Sequence, residues 1–160
     1  MKKISLILAM VITLTSNAQI TKVSLRASGL TCSMCSNSIN KALKTIDYVK
    51  AVDSDLKTYT FDVVFKPGAA VDLDRIKTKV ENAGFTVSAL VATVNFANAK
   101  VTDNQSVKIE EKTFYIENTK VQSLDGIRQV KILDKGFVSP REYKMSPFPA
   151  LPQGSYHVGI

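Results

Sequence analysis

The chain has 160 residues, 45% of them hydrophobic and 22% charged, with both signs present throughout. That composition suits one or two small folded domains and excludes a disordered chain. The formal net charge of +7 comes from lysines scattered among acids, as at Lys108, Glu110, Glu111 and Lys112. No basic stripe with interleaved aromatics forms, so no nucleic-acid partner is expected.

The chain opens on Lys2 and Lys3, an apolar run from Ile4 to Leu14 broken by Ser5 and Thr13, and the small residues Ser16-Asn17-Ala18. These are the three parts of a secretory signal, so residues 1–18 are expected to be a signal peptide cut before Gln19. The apolar run is shorter than the roughly 20 residues of a membrane span. Cys32 lies too far beyond it to be a lipoprotein cleavage site. Removing 1–18 takes away two lysines and no acid, lowering the formal charge from +7 to +5. The expected product is exported across the inner membrane, periplasmic, and not stably inserted in a membrane.

Val23, Leu25 and Ala27 alternate with polar residues and predict a half-buried strand. Ser28-Gly29-Leu30-Thr31 breaks it. Ile39, Ala42, Leu43 and Ile46 then recur at i, i+3, i+4 and i+7, the stripe of an amphipathic helix. Val49 and Val52 start a second strand, and Asp53 to Thr58 is polar enough for a turn. Tyr59, Phe61, Val63 and Phe65 alternate strictly. After Pro67-Gly68, Asp72 and Asp74 favour a helix start whose stripe is Leu73, Ile76, Val80 and Ala83. Gly84 stops that helix, and Phe85, Val87 and Ala89 begin another strand. The order βαββαβ predicts an α+β, ferredoxin-like domain over 19–91.

Beyond residue 92 the helical period is gone. Phe114 and Ile116, Val130 and Ile132, and the final Tyr156 to Ile160 read as short strands. Turn residues recur at Asp103-Asn104, Asp125-Gly126, Asp134-Lys135-Gly136 and Gln153-Gly154. A small all-β unit, barrel-like, is expected over 92–160.

The chemistry sits in Cys32-Ser33-Met34-Cys35, which holds both cysteines of the chain. A disulfide across so small a loop would stabilise the fold little, so a staple explains the pair poorly. Thiolates are soft ligands that select ions such as copper(I). Zinc and iron–sulfur sites want about four ligands, against two cysteines and one histidine here. Cys35 is expected in the first turn of the first helix and Cys32 in the loop before it. The helix N-terminus lowers thiol pKa there.

Gly29-Leu30-Thr31-Cys32-Ser33-Met34-Cys35 resembles the G-M-T-C-x-x-C loop of heavy-metal-associated domains, found in copper chaperones and copper-pumping ATPases. The resemblance continues through Val49-x-x-Val52, Asp55-Leu56, Phe61-x-Val63-x-Phe65 and Ala83-Gly84-Phe85. It implies that Cys32 and Cys35 are metal ligands and that Phe85 packs beside the loop, as in ATPase domains or periplasmic mercury-binding members. Leu30 departs from the usual Met, Tyr48 from Gly and Ser54 from Val; none of these removes a ligand. The second half lies outside the resemblance.

The expectation is therefore an exported, non-enzymatic protein that sequesters or transfers copper(I). Its partner would be a donor or acceptor protein with exposed cysteines. Mercury(II) binding and thiol–disulfide exchange by the same cysteines are the alternatives. Exchange enzymes usually carry a Trp before the motif and a facing cis-proline, and this chain has no Trp. A third alternative is a scaffold whose β unit is regulated by the metal domain. Met34 is read as an adaptable surface residue, Thr31 as a hydrogen-bonding partner of the loop, and His157 as a surface residue.

Overall fold

Strands whose apolar residues recur every second position must bury one face, and the two amphipathic helices are what covers it. The computed structural model describes residues 19–102, 104–117, 120 and 122–160. The expected signal peptide lies outside the described residues. Among the described residues eight strands form one sheet, in the order Val49–Asp55, Thr60–Phe65, Gln19–Ser28, Thr86–Lys100, Ser123–Ile132, Ser155–Gly159, Lys112–Glu117, Ser106–Ile109.

The first half follows the expected order: β1 (Gln19–Ser28), α1 (Ser33–Lys44), β2 (Val49–Asp55), β3 (Thr60–Phe65), α2 (Leu73–Asn82) and β4 (Thr86–Lys100). β1 lies between β3 and β4, antiparallel to both. Val23, Leu25 and Ala27 of β1 and Phe61, Val63 and Phe65 of β3 face inward, against Ile39 and Leu43 of α1 and Ile76 and Val80 of α2. Lys22 and Asp62 pair at 2.7 Å from neighbouring strands, at positions that alternate with those inward residues.

Two local expectations change. β2 continues through Asp53 to Asp55, because polar residues at alternate positions can lie on its wet face while Asp55 pairs with Thr60. Tyr59 is not in the strand; its φ of +52° makes it part of the hairpin turn, and it is exposed.

The second half consists of β5 (Ser106–Ile109), β6 (Lys112–Glu117), β7 (Ser123–Ile132), α3 (Pro140–Met145) and β8 (Ser155–Gly159). It is neither all-β nor a separate barrel. β7 pairs antiparallel with β4 from Val91 to Lys100, so the strands extend the first sheet, which stays open with β2 and β5 at its edges. The boundary expected at 91/92 falls inside β4. Gly126, read as a turn, sits within β7 at φ +70°, where the β4–β7 register slips. A glycine at positive φ signals a bulge as readily as a turn. β8 runs parallel to β6, the connection being supplied by β7 and α3.

One hydrophobic cluster runs through both halves, from Val23, Leu43 and Val80 to Phe114, Val130 and Val158. No helix among the described residues is long and apolar enough to cross a membrane.

Candidate metal centre

β1 ends at Ser28, and Gly29 turns the chain at φ +89°, a conformation costly for any residue with a Cβ. Leu30 then packs against the core and anchors the loop, as a substitute for Met of similar size should. Cys32 is the N-cap of α1 and Cys35 its third residue; the Cys35 N–H reaches the Cys32 carbonyl at 3.2 Å. Both cysteines stand where they were expected. No side chain caps this helix and its first turn carries no acid. Its unpaired N–H groups and positive dipole end therefore remain available to the two sulfurs.

The Sγ atoms of Cys32 and Cys35 stand 2.8 Å apart, and both cysteines are free thiols. Cys32 is exposed and Cys35 half-buried. A hydrogen bond from the Cys32 thiol lowers the Cys35 pKa below its ordinary value. The Thr31 N–H and hydroxyl and the Cys32 N–H help, against a smaller opposing effect of burial. Thr31 thus contacts the loop as expected. A thiolate at Cys35 beside a second sulfur can grip a soft ion at low coordination number. Met34, 78% exposed, points away from the core beside the pair.

The far wall is set by the end of α2. Gly84 adopts φ +90°, its N–H bonds the Glu81 carbonyl at 2.9 Å, and the Phe85 N–H bonds the Val80 carbonyl at 3.2 Å. These two bonds are a Schellman motif. It delivers Phe85 to Gly29, where a Cβ would lie 3.9 Å from the Phe85 ring. Phe85 is partly buried against the core and stands beside the loop as expected.

The family model of the heavy-metal-associated domain matches residues 24–86. This segment belongs to that family. A copper-transporting ATPase, RAN1 of Arabidopsis thaliana, is 36% identical over 69 residues; the match takes in 43% of this chain but only 7% of the ATPase. Among solved structures, the yeast copper transporter domain Ccc2a is 33% identical, covering 42% of this chain and 90% of its own (TM-score 0.37). A copper-binding domain from the P-type ATPase HMA7 is 36% identical over 41% of this chain and 88% of its own (TM-score 0.37).

The departures of this heavy-metal-associated domain have structural roles. Tyr48 is buried, donates its hydroxyl to the Asp72 carbonyl at 2.6 Å and lies under the Arg75 guanidinium at 5.6 Å. It ties the loop after α1 to the start of α2. Ser54 accepts from the Asn40 amide at 2.6 Å and fixes β2 against α1.

Ser36, next to Cys35, was not singled out from the sequence. It is 1% exposed, its hydroxyl has no partner, and it borders a recess of about 300 Å³ with Asn37, Asn40 and Leu56. The buried stripe of α1 is Ser36, Ile39 and Leu43. It starts one turn earlier than an apolar count can show, because its first member is polar.

His157, expected at the surface, is 5% exposed, bonded through Nδ1 to Asp134 at 2.7 Å and stacked on Phe148. The hydrogen bond and the ring make burial tolerable, and neither partner is near it in sequence. The cysteines do not gain a third ligand of this type: among the described residues no three His, Cys, Asp or Glu side chains converge.

Proposed function

We propose that this protein is exported and binds copper(I) between Cys32 and Cys35, either sequestering it or passing it to a partner. The observation that carries this reading is the pair of free thiols, their sulfurs 2.8 Å apart at the exposed head of a heavy-metal-associated domain. Soft sulfur donors favour copper(I), and one relative, RAN1, is a copper-transporting ATPase. Transfer would go by thiolate exchange: a partner cysteine joins the ion before Cys32 or Cys35 leaves it. The exposed Cys32 suits that first contact.

Anaerobic titration of the reduced protein against a chromophoric copper(I) chelator tests the site. One equivalent should compete with the chelator, and Cys32→Ser or Cys35→Ser should abolish the competition. Preferential retention of mercury(II) over copper(I) would move the assignment to mercury. Weak binding of both ions, together with turnover of a disulfide substrate, would move it to redox chemistry. Export is tested by sequencing the N-terminus of the mature protein, which should begin at Gln19; a chain still carrying residues 1–18 would sink it.

A further inference from the structure

A separate recess lies where the two halves meet. A cleft of about 430 Å³ opens between α2, the β7–α3 loop and the strap running from Phe148 to Gly154. That volume falls in the range of about 300–1,000 Å³ usual for small-molecule sites. Its walls include Phe137, Phe148, Leu151 and Pro152, and its polar groups include Asp74, Lys77, Asp134 and Lys135. None of these belongs to the cysteine loop.

The hydrogen-bond accounts of the two acids and the two lysines differ. Asp74 receives Lys77 at 3.1 Å on one oxygen and the Tyr156 hydroxyl at 2.8 Å on the other. Burial, reinforced by Asp74, pushes the Tyr156 pKa above its ordinary value, so that donor keeps its proton. Asp134 receives the His157 ring at 2.7 Å on one oxygen and the His157 N–H at 2.8 Å on the other. Each carboxylate oxygen therefore already has a donor.

The lysines are less committed. The Lys77 ammonium meets one carboxylate oxygen and lies 4.7 Å from the centre of the Phe137 ring, leaving N–H donors over. Gly136 gives it room, since a Cβ there would stand 3.2 Å from the Lys77 Cδ. Lys135 is exposed and takes no part in the ion pairs among the described residues. The lining balances two carboxylates with two ammonium groups; with the acids' oxygens already engaged, what the cleft offers a visitor is ammonium N–H donors set in an aromatic and aliphatic wall.

We propose that this cleft binds a small organic carboxylate, its acid group on Lys77 and Lys135 and its apolar body against Phe137, Phe148 and Leu151. The site is independent of the copper(I) assignment and leaves Cys32 and Cys35 untouched.

Benzoate serves as the probe, with benzyl alcohol and benzylammonium as neutral and cationic controls of similar shape. Amide NMR of the reduced protein should show saturable benzoate shifts at Gly136, Gly154 and Ser155. Lys77→Met and Lys135→Met should each weaken binding about tenfold, the value of one charged hydrogen bond. Copper(I) competition should stay at its wild-type level in both variants. If Lys77→Met does not fold, the exposed Lys135→Met still decides the charge question. No saturable shift, equal binding of the three probes, or shifts confined to the cysteine loop would each overturn the proposal.

Discussion

Glu110 joins the two halves of the chain through one carboxyl group. It sits at φ +54° in the β5–β6 hairpin, accepts the Val71 N–H from the segment leading into α2, and leaves its Oε2 buried without a partner. Burial raises its pKa above the ordinary glutamate value, against the weaker pull of the Val71 N–H and of Lys112. With a folded pKa above the unfolded value of about 4.3, the group holds its proton more tightly folded than unfolded. Its contribution to stability is complete below about pH 4 and is lost as pH rises through the folded value. Glu110→Gln should therefore flatten that decline relative to the parent chain. Thermal melts of both chains at matched pH would show it; parallel melting curves across the acid range would rule it out. Local pattern announces such a residue poorly. Cys32, Cys35 and Phe85 were legible because a motif or a helix stop fixes each within a few residues of sequence. Glu110, His157 and Ser36 depend on partners or neighbours from distant segments, which periodicity does not report.

At the scale of elements, α3 is the helix that the sequence pattern does not announce. Its six residues carry no buried side chain and so no apolar stripe. What it has is a capping signal: Ser139 accepts the Glu142 N–H at 3.2 Å, with Pro140 opening the helix. Ser followed three residues later by Glu is the sequence of a capping box, and proline is favoured at the first helical position. Ser139→Ala should destabilise this helix by about 1 kcal/mol. Hydrogen exchange should quicken at the Tyr143 amide, which bonds the Ser139 carbonyl, with little change at strand amides. Unchanged protection there would mean that α3 is held by Glu142 and its partner Lys131 instead. The six elements of the first half were legible for the opposite reason. Each has an apolar period long enough to name its type, and a glycine or acid marks several of its ends.

The whole molecule is where the sequence was least informative. The helical period ends near residue 92, and a domain boundary was expected there. β4, however, passes through that point and pairs with β1 on one edge and β7 on the other. An alternating strand shows which face is buried but not which strands will flank it. The shared core predicts one cooperative unfolding transition for residues 19–160, as for a single small domain. A fragment ending at Val91 should melt at lower temperature, because it loses Val94 and Phe96 from the core and the Tyr156–Asp74 bond. Two resolved calorimetric transitions in the longer chain would count against a single folding unit.

The attachment point of β7 also has a kinetic consequence. β4 starts beside the cysteine loop, at Thr86 opposite Ser28, but β7 joins it only from Val91, about 17 Å further along the strand. The β4–β7 seam is thus set back from the thiols. A protein docking head-on at the proposed metal loop would not meet that seam, so changes along it should leave the encounter rate unaltered. On the two proposals above, metal exchange at the loop and binding in the cleft would then need no fixed order.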